Sequence, residues 1–195
     1  MTEGGEPGGS AANSAADAPS VAARDDLAGV VDLFGWLTRA ELARALSELA
    51  FKRRTEVDDD AIAAAIDVAV AEYALVPAPP EAIDEAGGGS TAVADPDGGD
   101  DADEVALAVG PAAFPSLPEG ASDLPHILDV PERGVDREAL SGAVLARLSE
   151  DAVAAINVGD ADRLEVLADV TYDIEAWAPV DAGDVRERIV AELDS

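Results

Sequence analysis

The sequence predicts a mainly α fold with a small β-hairpin (α+β), in which an N-terminal winged-helix-like unit of three helices plus hairpin precedes a C-terminal three-helix bundle. Three observations carry that expectation. Apolar residues recur at helical spacing behind capping side chains in three early stretches. The period then turns strand-like once, after Tyr73, and finds a partner stretch only at residues 104–109. Three further capped stretches with short turns close the chain. Three helices followed by a two-stranded ribbon is the order of a winged helix, with the second and third helices as the helix-turn-helix and the hairpin as the wing.

Residues 1–24 are rich in Gly, Ser, Ala and Pro and read as a disordered tail. Behind Asp25 and Asp26, Leu27, Val30, Val31 and Phe34 fall at helical spacing, and Gly35 suits a left-handed stop. Thr38 and Glu41 form a capping box for the second helix, stapled by Leu37 and Leu42, with Leu42, Leu46 and Leu49 as its stripe. Lys52, Arg53 and Arg54 fall in its last turn, where cations suit the helix dipole, and Glu48 stands four residues before Lys52. The third helix has Asp58 as cap, Val57 and Ile62 as staple, and Ile62, Ile66, Val70 and Tyr73 as stripe.

Ala74-Leu75-Val76 reads as a short strand running into Pro77, paired with residues 104–109. Between Pro77 and Asp103 stand eight acidic residues, no basic one and two glycine runs, so 77–103 is expected to be an acidic disordered loop inserted into the hairpin. The winged-helix-like domain spans 25–110. Residues 111–135 hold five prolines with Phe114, Leu117, Leu124, Ile127 and Leu128 between them, too apolar for a disordered linker, and are expected to pack as a strap.

The bundle occupies 136–195. Asp136 caps a helix with Leu140, Val144, Leu148, Ala152 and Ile156 at intervals of four, ended by Gly159. Asp160 opens a helix burying Leu164, Leu167, Val170, Ile174 and Trp177, and Asp181 caps the last, with Val185, Ile189 and Leu193 inward.

Composition bounds the chemistry. Formal net charge is -30, from 42 acidic and 12 basic side chains; eleven of the basic ones are Arg, and Lys52 is the single lysine. Such a charge repels itself at ordinary ionic strength, whereas molar salt shortens the Debye length to about 3 Å, so the pattern points to a halophile. The absence of cysteine excludes disulfides and thiolate sites, and one histidine, His126, speaks against zinc. The N-terminus lacks the positive charge and apolar run of a secretory signal. The most apolar stretch, Ala61 to Val76, is too short to span a bilayer, which needs about 20 residues. A soluble cytoplasmic protein without a membrane partner is expected.

Each candidate site has a bland competitor. His126 with Ser122, Asp123 and Asp129 contains the residue types of a nucleophile set, but no glycine-flanked elbow or oxyanion loop accompanies them. A histidine hydrogen-bonded within the strap is the simpler expectation. Asp95, Asp97, Asp100, Asp101 and Asp103 miss the calcium-loop pattern, and loose association of monovalent cations is expected instead of a metal site. The glycine runs lack lysine and do not open a helix, so no nucleotide cofactor is implied. Arg39, Arg44, Lys52, Arg53 and Arg54 are the one cationic cluster, a candidate docking or phosphate-contact patch. They lie on the second helix, whereas the third, which would enter a DNA groove, has no Lys or Arg from Asp59 to Tyr73. DNA is therefore a disfavoured partner.

Several strings resemble an uncharacterised protein family of halophilic archaea: Leu33-Phe34-Gly35, Leu37-Thr38 and Glu41-Leu42, residues 110–115, residues 124–130, and Tyr172-Asp173-Ile174-Glu175-Ala176-Trp177. The resemblance spans Asp25 to Leu193 and implies that both halves belong to one unit. It implies no activity, cofactor or site residue. The sequence thus leads to a non-enzymatic winged-helix-like protein-interaction module, with a DNA-binding transcriptional regulator as the alternative and an enzyme using His126 as the second.

Overall fold

The computed structural model describes residues 21–55, 57–84 and 101–194. Helix α1 (Val21–Asp32) starts four residues before Asp25, so the tail expected over 1–24 gives up its last residues to a helix; residues 1–20 lie outside the described part. Leu27, Val30 and Val31 are buried along α1 and Phe34 just beyond it. Gly35 turns the chain with φ +82°, and a Cβ there would stand 1.9 Å from the Arg133 carbonyl oxygen, so only glycine fits.

Strand β1 (Trp36–Thr38) follows, then α2 (Arg39–Lys52) and α3 (Asp59–Ala71). The capping box forms as the sequence predicts: Thr38 Oγ1 accepts the Glu41 N–H at 3.1 Å and Glu41 Oε2 accepts the Thr38 N–H at 2.9 Å. Asp58 Oδ1 accepts the Asp60 N–H at 3.2 Å and caps α3. Leu42, Ala45 and Leu49 of α2 meet Ile62, Ile66 and Ala69 of α3 beneath α1. Val57, the expected staple of α3, is 45% exposed on the α2–α3 turn, where it lines an open groove together with Ile62. One expected packing fails. Tyr73 does not extend the α3 stripe: α3 ends at Ala71, Tyr73 takes φ +60°, and its ring enters the other core.

Strands β2 (Leu75–Pro77) and β3 (Ala106–Val109) form the expected antiparallel hairpin, with Val76 opposite Ala108. The other edge of β3 pairs antiparallel with β1, Leu37 opposite Leu107, giving the order β1-β3-β2. Side chains alternate across this small sheet. Leu37, Leu75 and Leu107 enter the core of α1–α3, whereas Trp36, Val76, Ala106 and Ala108 enter the core of the C-terminal helices. The sheet is covered on both faces.

The loop expected over 77–103 is structured at both ends. Pro77 belongs to β2, residues 80–82 form a 3-10 turn with Ala82 buried, and Ile83 bridges to Val135. Residues 101–104 form another 3-10 turn; residues 85–100 lie outside the described part. Small buried side chains and a backbone bridge to the segment before the bundle hold the near end, against the weight of the surrounding charge.

The strap contains a 3-10 turn at 121–123 and a short helix α4 (Leu124–Leu128), with Ala121, Leu124 and Leu128 buried in the N-terminal core. Phe114 and Leu117 are exposed. Helices α5 (Arg137–Val158), α6 (Ala161–Trp177) and α7 (Gly183–Leu193) pack together as the expected bundle. Asp136 and Asp160 cap the first two. Asp181 sits one residue outside the N-cap of α7, its Oδ1 accepting the Gly183 N–H at 2.9 Å, while Glu175 Oε1 accepts the Ala182 N–H at 3.0 Å. Among the described residues no helix is long and apolar enough to cross a membrane.

Candidate functional site

The five cations of α2 and its turn do not form one patch. Arg39 reaches across to α3, donating to Asp67 Oδ1 at 2.6 Å and to the Ala63 carbonyl at 3.2 Å. Arg44 is exposed and has no partner among the described residues. Lys52 is not paired with Glu48; its Nζ lies 3.2 Å from Asp123 Oδ2 and 3.4 Å from the Gly120 carbonyl. Arg53 donates twice to the Glu119 carbonyl, at 3.3 and 3.1 Å. Arg54 is exposed at φ +56°, and its side chain has no partner among the described residues. A pull toward strap carbonyls and Asp123 thus replaces the intrahelical pairing that sequence spacing suggests. The exposed residues of α3 include Asp59, Asp60 and Asp67, with alanines between.

His126 is exposed and makes no hydrogen bond among the described residues, contrary to a histidine bonded within the strap. The reason is local: Leu124 and Leu128, four apart on α4, both point inward, so position 126 points out. Asp123 turns to Lys52, and Asp129, exposed, ends α4 in the left-handed region at φ +54°. Ser122 is exposed as well. These residues do not converge into a nucleophile set. Asp95, Asp97 and Asp100 lie outside the described residues and Asp103 is exposed; among the described residues no three His, Asp or Glu side chains converge to hold a metal ion.

An apolar groove of about 320 Å³ opens where α1, α2 and α3 meet the strap. Leu27, Leu46, Leu49, Val57, Ile62 and Pro118 line it. A second, shallower concavity shares Ala50, Thr55 and Val57 with it and carries Phe51, which is 80% exposed. Two of the chain's three phenylalanines, Phe51 and Phe114, are left out of the core, and Phe51 stands next to the apolar groove.

Two polar clusters escape sequence reasoning, because each joins residues far apart in the chain. Arg133 meets Glu41 through two hydrogen bonds of 2.7 Å and stacks over Trp36 at 4.1 Å. Burial alone would raise the Glu41 carboxyl, but the Arg133 hydrogen bonds, the Thr38 N–H and the Arg133 charge outweigh it and hold the group below its ordinary value. At the junction of the two cores, the Tyr73 hydroxyl donates to Asp151 Oδ2 at 2.8 Å, and Arg163 meets the same oxygen at 2.9 Å. Burial, then the Asp151 hydrogen bond and charge, push the Tyr73 hydroxyl well above the usual tyrosine value. Arg147 lies 4.5 Å over the Tyr73 ring. The only prior signal for these clusters was the dominance of arginine over lysine.

No curated protein and no solved structure matches the chain. A family model matches residues 25–194, and the chain belongs to that family, described as a family of unknown function (DUF7109).

Proposed function

We propose that this chain is a non-enzymatic, winged-helix-like module that acts through protein contacts in a salt-rich cytoplasm. The element order α1-β1-α2-α3-β2-β3 with sheet order β1-β3-β2 supports the winged-helix reading, β2 and β3 forming the wing. The observation that carries the functional reading is the open apolar groove with the exposed Phe51 on the adjoining concavity. Exposed aromatics next to apolar pockets are the usual anchors of protein interfaces. The DNA reading loses support from the same helices: Arg39, Lys52 and Arg53 are engaged within the fold, and α3 presents carboxylates where phosphates would approach. The enzyme reading lacks converging polar groups at His126. A surplus of carboxylates with one lysine supports the salt-rich setting.

The test is affinity capture in molar potassium chloride with wild type and Phe51→Ser, mapped by cross-linking mass spectrometry. Cross-links concentrated on the α2–α3 turn in wild type and lost in Phe51→Ser are expected. Retention of genomic DNA fragments at that salt, abolished by Gln at Lys52, Arg53 and Arg54, would replace this reading with the DNA one.

A further inference from the structure

We propose that the α2–α3 turn is a self-association surface, on which a second copy of this chain seats its Phe51 ring in the open groove and receives the first copy's ring in return. This rests on the reading of the chain as a protein-contact module and names the partner.

Knob and hole stand side by side on one face. Phe51 is 80% exposed on a concavity that shares Ala50, Thr55 and Val57 with the groove of about 320 Å³. A two-fold axis between them joins each ring to the other copy's groove. That is what an isologous interface requires, one patch carrying both halves of the contact. The sizes agree, since a cavity of about 150 Å³ already holds a benzene ring. Leu27, Leu46, Leu49 and Ile62 supply apolar walls. The groove is open as it stands, so no segment has to move.

Charge favours a copy over a foreign chain. Two molecules of net charge -30 repel each other, and contact is least opposed where the charge is locally balanced. Residues 44–60 hold four of the twelve basic side chains against five acidic ones, a net of -1. This balance is not used up within one copy. The side chains of Arg44 and Arg54 are exposed and have no partner among the described residues, and the same holds for Asp59 and Asp60. Arg44 lies two helical turns before Phe51 on the same face of α2, Arg54 follows in the turn, and Asp59 lines the concavity that carries Phe51. A purely acidic or purely basic partner would meet like charges here, whereas a second copy supplies both signs.

The test is sedimentation equilibrium of the full chain in molar potassium chloride, from about 1 to 300 µM. The mass is expected to rise from one chain to two, with a midpoint on the order of 10 µM. Phe51→Ser is expected to weaken the association at least about 100-fold, because each dimer loses two seated rings. Phe114→Ser, which removes the other exposed phenylalanine, is expected to leave it unchanged. Arg44→Glu/Arg54→Glu is expected to weaken it several-fold by facing carboxylates with carboxylates. All of these replace exposed side chains, so the fold stays intact. A monomer throughout overturns the proposal, as does an association that survives Phe51→Ser, ignores the charge reversal or needs Phe114. A monomeric chain whose capture of other proteins depends on Phe51 removes the second copy and leaves the docking reading standing. A dimer that needs Phe51, with capture indifferent to Phe51, does the reverse.

Discussion

On the bundle side of the sheet Arg147, Arg163 and Arg186 reach into the fold, whereas the cations at the C-terminal end of α2 reach outward. Arg147 and Arg163 donate to the Val70 and Ala71 carbonyls at 2.9 and 2.7 Å, capping the C-terminal end of α3 from another part of the chain. Arg186 donates to Thr171 Oγ1 at 2.8 Å and pairs with Glu175. Carbonyls at a helix end have no partner within their own helix, so these contacts both satisfy them and oppose the helix dipole. By contrast, Lys52 and Arg53 hold only the strap, Arg44 and Arg54 hold nothing among the described residues, and a groove stays open. The difference separates a scaffold from a surface: the bundle fixes α3, while the N-terminal helices keep side chains uncommitted.

The largest effect that can break this comparison is in the bundle core. Leu148 is fully buried, and Leu148→Ala should destabilise by about 3 kcal/mol through lost burial and a residual cavity. Because Trp36, Val76 and Ala108 bind the sheet to that core, chemical denaturation should remain one transition for both halves. An early transition confined to the bundle would show that the sheet does not couple the cores. Phe51→Ser, on the other side, should change stability by less than about 0.5 kcal/mol, since the ring is already in solvent.

Next in size is Arg163→Met. It removes the donor to the Ala71 carbonyl and a partner of Asp151 at a site where Tyr73 is fully buried, and about 2 kcal/mol is expected. Lys52→Gln, which breaks an exposed pair, should stay below about 1 kcal/mol in the same denaturant series. Equal losses would erase the distinction between inward and outward cations.

The legible parts of the fold were those fixed by neighbours in the chain. Thr38 with Glu41, Asp58, Asp136 and Asp160 announced helix starts because capping is a contact over two or three residues. Strand β1 was not legible: Trp36 to Thr38 is too short to show alternation, and Thr38 already reads as a cap. α4 was hidden by Pro125 in a proline-rich run, although proline is well tolerated in the first turn of a helix. Of the candidate site, Lys52 and Arg53 were visible as cations, but their partners stand 71 and 66 residues away. The Phe51 surface was invisible because an exposed and a buried phenylalanine look alike in sequence.

Arg133 and Glu41 test a well-shielded ion pair on the N-terminal side. The native Glu41 carboxyl lies below its unfolded value, so its contribution is complete above the unfolded pKa of about 4.3 and is lost as pH falls through the lower native value. Glu41→Gln should therefore cost about 1 kcal/mol at pH 7, a gap that closes at strongly acid pH. Denaturant midpoints of the two proteins across pH 2 to 7 check both the size and the sign.

The smallest effect belongs to Asp173 on α6. Burial, and then the charge of Asp169 one turn before it, raise its carboxyl above the ordinary value, so ionisation at this position weakens the fold instead of supporting it. The sign is opposite to that of Glu41: the penalty is fully present above the raised native pKa and disappears once pH falls below the unfolded value. Asp173→Asn should add a few tenths of a kcal/mol at neutral pH and low salt, the usual size for a like-charge pair four apart on a partly solvated helix. Molar potassium chloride separates the two causes, because it screens Asp169 but leaves burial untouched. A gain that shrinks in salt without vanishing fits both causes acting together. A gain that vanishes assigns the penalty to repulsion alone, and with it the view that salt relaxes carboxylate pairs even on the side of the molecule where Arg147, Arg163 and Arg186 are engaged within the fold would be the stronger one.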